Sequence, residues 1–159
     1  MGAAALYFAY GSNMKSGRLQ ARVPSAAAHG IAGLAGFCFA MNKRGKDGSA
    51  KANICIAPGE RVYGVAFSFD EDHWDTLDRF ETGYDRVGVE VELAGDLREA
   101  VAYVCTDPSF LTEDPVPFGW YRQLMIDGCL EHRLPESHRK MLEAWPCKPD
   151  PEGRAPKGR

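Results

Sequence analysis

Apolar and polar positions alternate along the chain in blocks that change period, and the blocks predict mixed secondary structure. Ala3 to Tyr10 is a short apolar run, aromatic toward its end, that stops at Gly11-Ser12-Asn13; it reads as a buried strand followed by a turn. A helix over 14–23 follows, with Ser12 or Asn13 as its cap and Pro24 as its stop. Between Ala26 and Met41, Gly30, Gly33 and Gly36 interrupt small and apolar residues, a pattern that suits bent strand. Arg44 to Lys51 is a polar loop, and strands are expected at 52–57 and 62–69 around a Pro58-Gly59-Glu60 turn, as a hairpin-like meander.

Asp70 to Phe80 reads as a helix, with Asp70, Glu71 and Asp72 in its first turn, where they favour the helix dipole, and Gly83 just beyond its end. Two-residue alternation returns in Val87, Val89, Val91 and Leu93, then in Val101, Tyr103 and Cys105. Helices are predicted over 120–134 and 136–144, parted by Pro135. No internal repeat is visible. The expected class is α+β: a small mixed, largely antiparallel β-barrel or curled sheet with flanking helices, in one domain over 1–147, with a disordered Pro-, Gly- and charge-rich tail over 148–159.

Composition narrows the function classes. With 159 residues and 45% hydrophobic positions the chain can bury a core without staples. A formal charge of −3 with no run of like charge leaves no footprint for nucleic acid. No apolar stretch approaches the ~20 residues of a membrane span, and no basic leader precedes the first apolar run, so a cytoplasmic protein is expected. The five cysteines (Cys38, Cys55, Cys105, Cys129, Cys147) are widely spaced and read as buried free thiols; Cys129, His132 and His138 are too scattered for a metal site. The glycine loop of phosphate-binding proteins, the serine nucleophile elbow and the two-histidine zinc motif are missing, and no cofactor is expected.

Two places carry candidate chemistry. At Tyr10-Gly11-Ser12-Asn13 a strand brings consecutive backbone N–H groups to a helix start, which is either an anion cradle or an ordinary capped turn. Glu81 lies seven residues after Trp74 and four after Leu77. If the helix continues, its carboxyl sits on the apolar stripe at a helix C-terminus, and both effects raise its pKa toward neutrality; if the helix stops at Phe80, Glu81 points to water.

Tyr7-Phe8-Ala9-Tyr10-Gly11-Ser12-Asn13, Pro58-Gly59-Glu60-Arg61-Val62-Tyr63-Gly64-Val65, Leu77-Asp78-Arg79-Phe80-Glu81 and the Tyr121 helix before Leu134-Pro135 stand in an order that resembles the gamma-glutamylcyclotransferase family from about residue 6 to 144. Asn13 after Ser12 resembles the gamma-glutamylcyclotransferase branch, rather than the Tyr-Gly-Thr form of relatives acting on gamma-glutamylamines or the Tyr-Gly-Ser-Leu form of the glutathione-specific branch. The resemblance implies a small mixed barrel with flanking helices. It implies that Tyr7, Phe8, Ala9, Tyr10, Gly11 and Ser12 hold a gamma-glutamyl group, that Glu81 is the catalytic acid/base, and that Tyr121 closes on the bound glutamyl group. Where many members have Gly directly after the catalytic Glu and a slightly longer loop, this chain has Thr82-Gly83-Tyr84, on the side of the acceptor group.

The reaction so implied converts an L-gamma-glutamyl amino acid to 5-oxo-L-proline and the free amino acid, without metal or organic cofactor. The expected partner is a small-molecule gamma-glutamyl substrate, with a second copy of the chain left open as a macromolecular one. Competing readings are a gamma-glutamylamine cyclotransferase or related gamma-glutamyl-removing enzyme, a non-catalytic binding module, and a redox role for Cys129 or Cys38.

Overall fold

The computed structural model of the chain describes residues 5–154. Its centre is a closed five-stranded barrel: β1 (Leu6–Ala9), β2 (Ala27–Arg44), β3 (Ala50–Ser68), β4 (Asp85–Leu93) and β5 (Asp96–Val104), in the spatial order β1-β3-β2-β4-β5. All neighbours are antiparallel except β1 and β5, which run parallel and complete the ring through Leu6 opposite Ala100 and Tyr7 opposite Val101. The helices α1 (Ser16–Arg22), α2 (Trp74–Phe80), α3 (Gly119–His132) and α4 (Glu136–Ala144) flank it. None of the described helices is long and apolar enough to cross a membrane.

The core follows the sequence pattern. Phe8, Leu19, Met41, Ile54, Phe67, Leu77 and Leu142 are sealed from solvent, and Val91 and Leu93 turn the inner face of β4 toward them. Gly128 of α3 faces the short 3-10 turn at Ser12–Met14; a Cβ there would stand 2.7 Å from the Met14 Cβ, so glycine is what lets the helix pack this close. That contact seats the chain segment leaving β1 between the barrel and α3.

Three details depart from the sequence reading. The expected Ser12 or Asn13 cap does not form: α1 starts at Ser16 with Lys15 as its cap residue and no capping side chain, because a separate 3-10 turn precedes it and both side chains are engaged elsewhere. Pro58-Gly59-Glu60 does not reverse the chain. Residues on both sides of it pair antiparallel with β2, Ile56 with Phe37 and Arg61 with Ala35, so the extra residues form a bulge inside one long strand instead of a hairpin. Residues 148–154, which the sequence leaves as tail, lie against the start of α3: Lys148 exchanges backbone hydrogen bonds with Pro117 and Gly119, and Asp150 accepts from Trp120 Nε1 at 3.0 Å. The remainder of the expected tail, 155–159, lies outside the described residues.

Candidate active site

A cavity of about 370 Å³ opens at one end of the barrel, where β1 leads into α1 and where α2 ends. Tyr7, Tyr10, Gly11, Ser12, Glu81 and Tyr121 all line it. Phe8 and Ala9 do not. Strand alternation sends Phe8 away from Tyr7, to a sealed position beside Tyr10 with ring centroids 6.2 Å apart, and Ala9 is buried in the barrel wall opposite Val65.

Glu81 takes a path between its two sequence-based alternatives. The helix does end at Phe80, yet the side chain faces the cavity. Its N–H donates to the Asp78 carbonyl and its own carbonyl accepts from Tyr84 N, both at 3.0 Å, which closes a turn over Glu81-Thr82-Gly83-Tyr84. Gly83 adopts φ +88 in that turn, and a Cβ there would collide with the Phe110 ring at 2.6 Å. The local sequence after the helix thus aims Glu81 inward.

Asn13 holds the carboxyl. Its Nδ2 donates to Glu81 Oε1 and to the Tyr7 hydroxyl, each at 3.0 Å, while its Oδ1 accepts from Arg22 Nη1 at 3.4 Å. Burial pushes the Glu81 carboxyl up to about 7, against the opposing pull of Arg22, Arg18, Lys43 and the Asn13 hydrogen bond. A carboxyl poised there accepts a proton at neutral pH and gives it back readily.

The aromatic hydroxyls around it stay protonated. Burial pushes Tyr121 up to about 12 despite the Ala52 N–H that donates to its oxygen at 3.0 Å, and burial with the nearby Glu81 raises Tyr7 and Tyr10 as well. Since Tyr121 already accepts from Ala52, its own proton is the one it can offer. Tyr10 is tied to the Tyr103 carbonyl and Tyr84 donates to the Ala52 carbonyl at 2.6 Å, so both hydroxyls are already engaged as donors. The N–H groups of Gly11, Ser12 and Asn13 donate to no protein acceptor among the described residues.

Cations dominate the remaining lining: six Lys or Arg side chains against the two carboxylates Asp47 and Glu81, in a chain whose overall charge is negative. The cavity therefore suits an anionic ligand. Arg18 Nε donates to Ser12 Oγ at 3.0 Å, Arg22 lies 4.8 Å over the Phe80 ring, and Lys51 pairs with Asp47 at 3.0 Å while standing 4.5 Å over Tyr121. The sequence reading took Asn13 as part of an anion cradle or as a cap and missed its contact with Glu81, and it missed Arg18, Arg22, Lys43, Lys51 and Tyr84 altogether. Arg18 and Arg22, four apart on α1 with no acidic residue in that helix, carried a readable signal; the lysines, brought in by β2 and β3, did not.

No group of three metal-ligating side chains occurs among the described residues. Cys129 is buried in α3 and its thiol is pushed up to about 12 by that burial, which removes the thiolate a redox role needs at neutral pH.

A family model described as gamma-glutamyl cyclotransferase, AIG2-like, matches residues 7–123, a span that contains Tyr7, Glu81 and Tyr121. The chain belongs to this family. Among curated relatives, the human gamma-glutamylcyclotransferase is 31% identical over 147 residues and the Bos taurus gamma-glutamylcyclotransferase 29% over 145, each alignment covering 87% of this chain and 77% of the relative. A solved structure named gamma-glutamyl cyclotransferase superimposes with a TM-score of 0.83 at 26% identity, covering 96% of this chain and 94% of that one. The chain and that structure thus share one fold.

Proposed function

We propose that this chain is a gamma-glutamylcyclotransferase that converts L-gamma-glutamyl amino acids to 5-oxo-L-proline and the free amino acid. The observation that carries the reading is Glu81: a carboxyl with its pKa near 7, oriented by Asn13, in a cationic cavity. Family membership supports the same reaction.

The substrate brings its own nucleophile, so the protein's work is to fold it and to carry protons from the attacking nitrogen to the leaving one. Ionised Glu81 takes a proton from the alpha-ammonium. The freed nitrogen attacks the gamma-carbonyl carbon, forming the ring C–N bond and a tetrahedral oxyanion. The bond to the acceptor nitrogen then breaks as the proton held on Glu81 passes to that nitrogen, and the second proton of the ring nitrogen follows through the regenerated Glu81 carboxylate, so that the amino acid leaves as its ammonium and the lactam N–H is neutral. Donors for the oxyanion are at hand in the N–H groups of Gly11 and Ser12 and in the Tyr121 hydroxyl, each such donor worth about 3 kcal/mol when well placed. Arg18 and Arg22, held against Ser12 and Asn13, supply charge for the alpha-carboxylate of the glutamyl half.

The direct test is 5-oxoproline release from L-gamma-glutamyl-L-alanine, glutathione and a gamma-glutamylamine, with wild type and Glu81→Gln in parallel. Turnover of the dipeptide by wild type and not by the folded variant is expected. Wild-type rates from a folded Glu81→Gln protein would remove Glu81 from the mechanism.

A further inference from the structure

Lys43 is the unusual cation of this cavity. It is only 5% exposed, although a lysine buried to that degree nearly always has a carboxylate beside it. Among the described residues the ion-paired lysines are Lys15, Lys51, Lys140 and Lys148; Lys43 has no carboxylate within salt-bridge distance and makes no side-chain hydrogen bond. Its ammonium lies 5.1 Å from the centre of the Tyr84 ring and 5.6 Å from that of Phe110, and the residue lines the cavity. Burial lowers its pKa from the ordinary lysine value, against the opposing pull of Cys105 and Glu81.

The turn after Glu81 builds the seat of Lys43 through Gly83 and Tyr84. A Cβ on Gly83 would come within 2.9 Å of Lys43 Cε, so glycine at that turn position leaves room for the lysine stem, and Tyr84 supplies the ring beneath the ammonium. Arg18 and Arg22 approach from α1 and are already bonded to the Ser12-Asn13 segment, and Lys51 is matched by Asp47. The substrate class proposed above carries two carboxylates, one on the glutamyl half and one on the amino acid to be released. The arginine pair accounts for the first.

We propose that Lys43, seated by Gly83 and Tyr84, is the specificity-determining residue that pairs with the carboxylate of the leaving amino acid, so that the enzyme selects gamma-glutamyl amino acids over gamma-glutamyl compounds whose acceptor is uncharged. The proposal rests on the cyclotransferase reading and adds to it the charge of the acceptor. Lys43 touches no bond that forms or breaks. A charge-assisted hydrogen bond lost on one substrate and never made on the other alters their ratio, and not merely a common rate.

The experiment compares kcat/KM for L-gamma-glutamyl-L-alanine with that for L-gamma-glutamyl-L-alaninamide, which differ only in the acceptor carboxylate. Wild type is expected to favour the dipeptide. Lys43→Met, which keeps the apolar stem, is expected to lower the ratio of the two constants at least tenfold, and Lys43→Arg to retain most of the wild-type preference; Lys43→Gln provides the same reading if the Met variant does not fold. Because the outcome is a ratio, partial loss of folded enzyme does not alter it. An unchanged ratio in a Lys43 variant, with wild type turning over the dipeptide, overturns the assignment of Lys43 and leaves the cyclotransferase standing. No 5-oxoproline from either compound with folded wild type overturns the cyclotransferase reading, and the role of Lys43 falls with it.

Discussion

Asn13 Nδ2 stands 3.0 Å from Glu81 Oε1, a contact between residues 68 positions apart in the chain. The same amide nitrogen donates to the Tyr7 hydroxyl, so the first strand, the turn that follows it and the end of α2 are fastened to one another at the carboxyl. A turn residue that would otherwise cap a helix is drawn into the site.

The pH dependence of turnover should report on this carboxyl. Only ionised Glu81 can take the proton from the ammonium, so kcat/KM for the dipeptide is expected to rise with pH through about 7 and then level. Glu81→Gln keeps the shape and the hydrogen bond from Asn13 but removes the base, and a loss of activity of at least about a thousandfold is expected, within the range attributed to general acid/base groups. Steady-state rates across pH 5–9 measure both.

Asn13→Ala should move that profile. The Asn13 hydrogen bond holds the carboxyl down, so its removal raises the pKa further; if the bond is worth about 1 kcal/mol, the midpoint moves up by about 0.7 unit. A midpoint that stays in place, or moves to lower pH, would contradict the assigned contact.

Stability should respond to Glu81 in the opposite sense from activity. Its folded pKa is raised above its unfolded value of 4.5, so the wild-type protein loses stability as pH rises from about 4.5 through about 7, by up to roughly 3 kcal/mol. Glu81→Gln carries no charge to bury. Denaturant melts of the two proteins should coincide near pH 4 and separate in favour of the variant above pH 7.

His138 sets a limit on the acid side. It packs edge-on against Phe39 at 5.9 Å and Tyr63 at 6.3 Å, its buried Nε2 has no hydrogen-bond partner among the described residues, and burial lowers its pKa to about 4. A depressed histidine gives stability that is present above its unfolded pKa of 6.5 and is lost as pH falls through about 4. His138→Phe should flatten the part of the melting-temperature decline that falls in that window.

Gly83→Ala should destabilise the site end of the barrel. The substitution places a side chain at φ +88 and a Cβ 2.6 Å from the Phe110 ring. A cost of about 1–3 kcal/mol is expected from the backbone alone, or a fall in melting temperature of about 2–4 °C for each kcal/mol. Thermal melts monitored by circular dichroism give the value directly.

The elements were legible where the chain repeats a simple period. Two-residue alternation marked β4 and β5, and the breaks at Pro24 and Pro135 marked the ends of α1 and the gap between α3 and α4. The Pro58-Gly59-Glu60 segment misled because turn residues serve equally well in a bulge, and only the partner strand decides between them: Arg61 resumes pairing with β2 beside Ala35, so the chain keeps its direction. Glu81 illustrates the same limit at the site, since a helix that stops at Phe80 says nothing about whether the next residue faces water.

From the residues alone came the class of fold, an apolar core large enough to need no staples, and, through the motifs at Tyr7–Asn13 and Leu77–Glu81, the family and the acid/base candidate. Local pattern and short motifs carry that information because each depends on neighbours a few positions away. Tertiary structure decided the rest: that Phe8 and Ala9 turn away from the cavity, that Asn13 binds Glu81, that burial lifts the carboxyl to about 7, and that Lys43 stands over Tyr84 with no salt bridge among the described residues. Burial and charge pairing are set by groups that meet only when the barrel closes, and no spacing along the chain records those meetings.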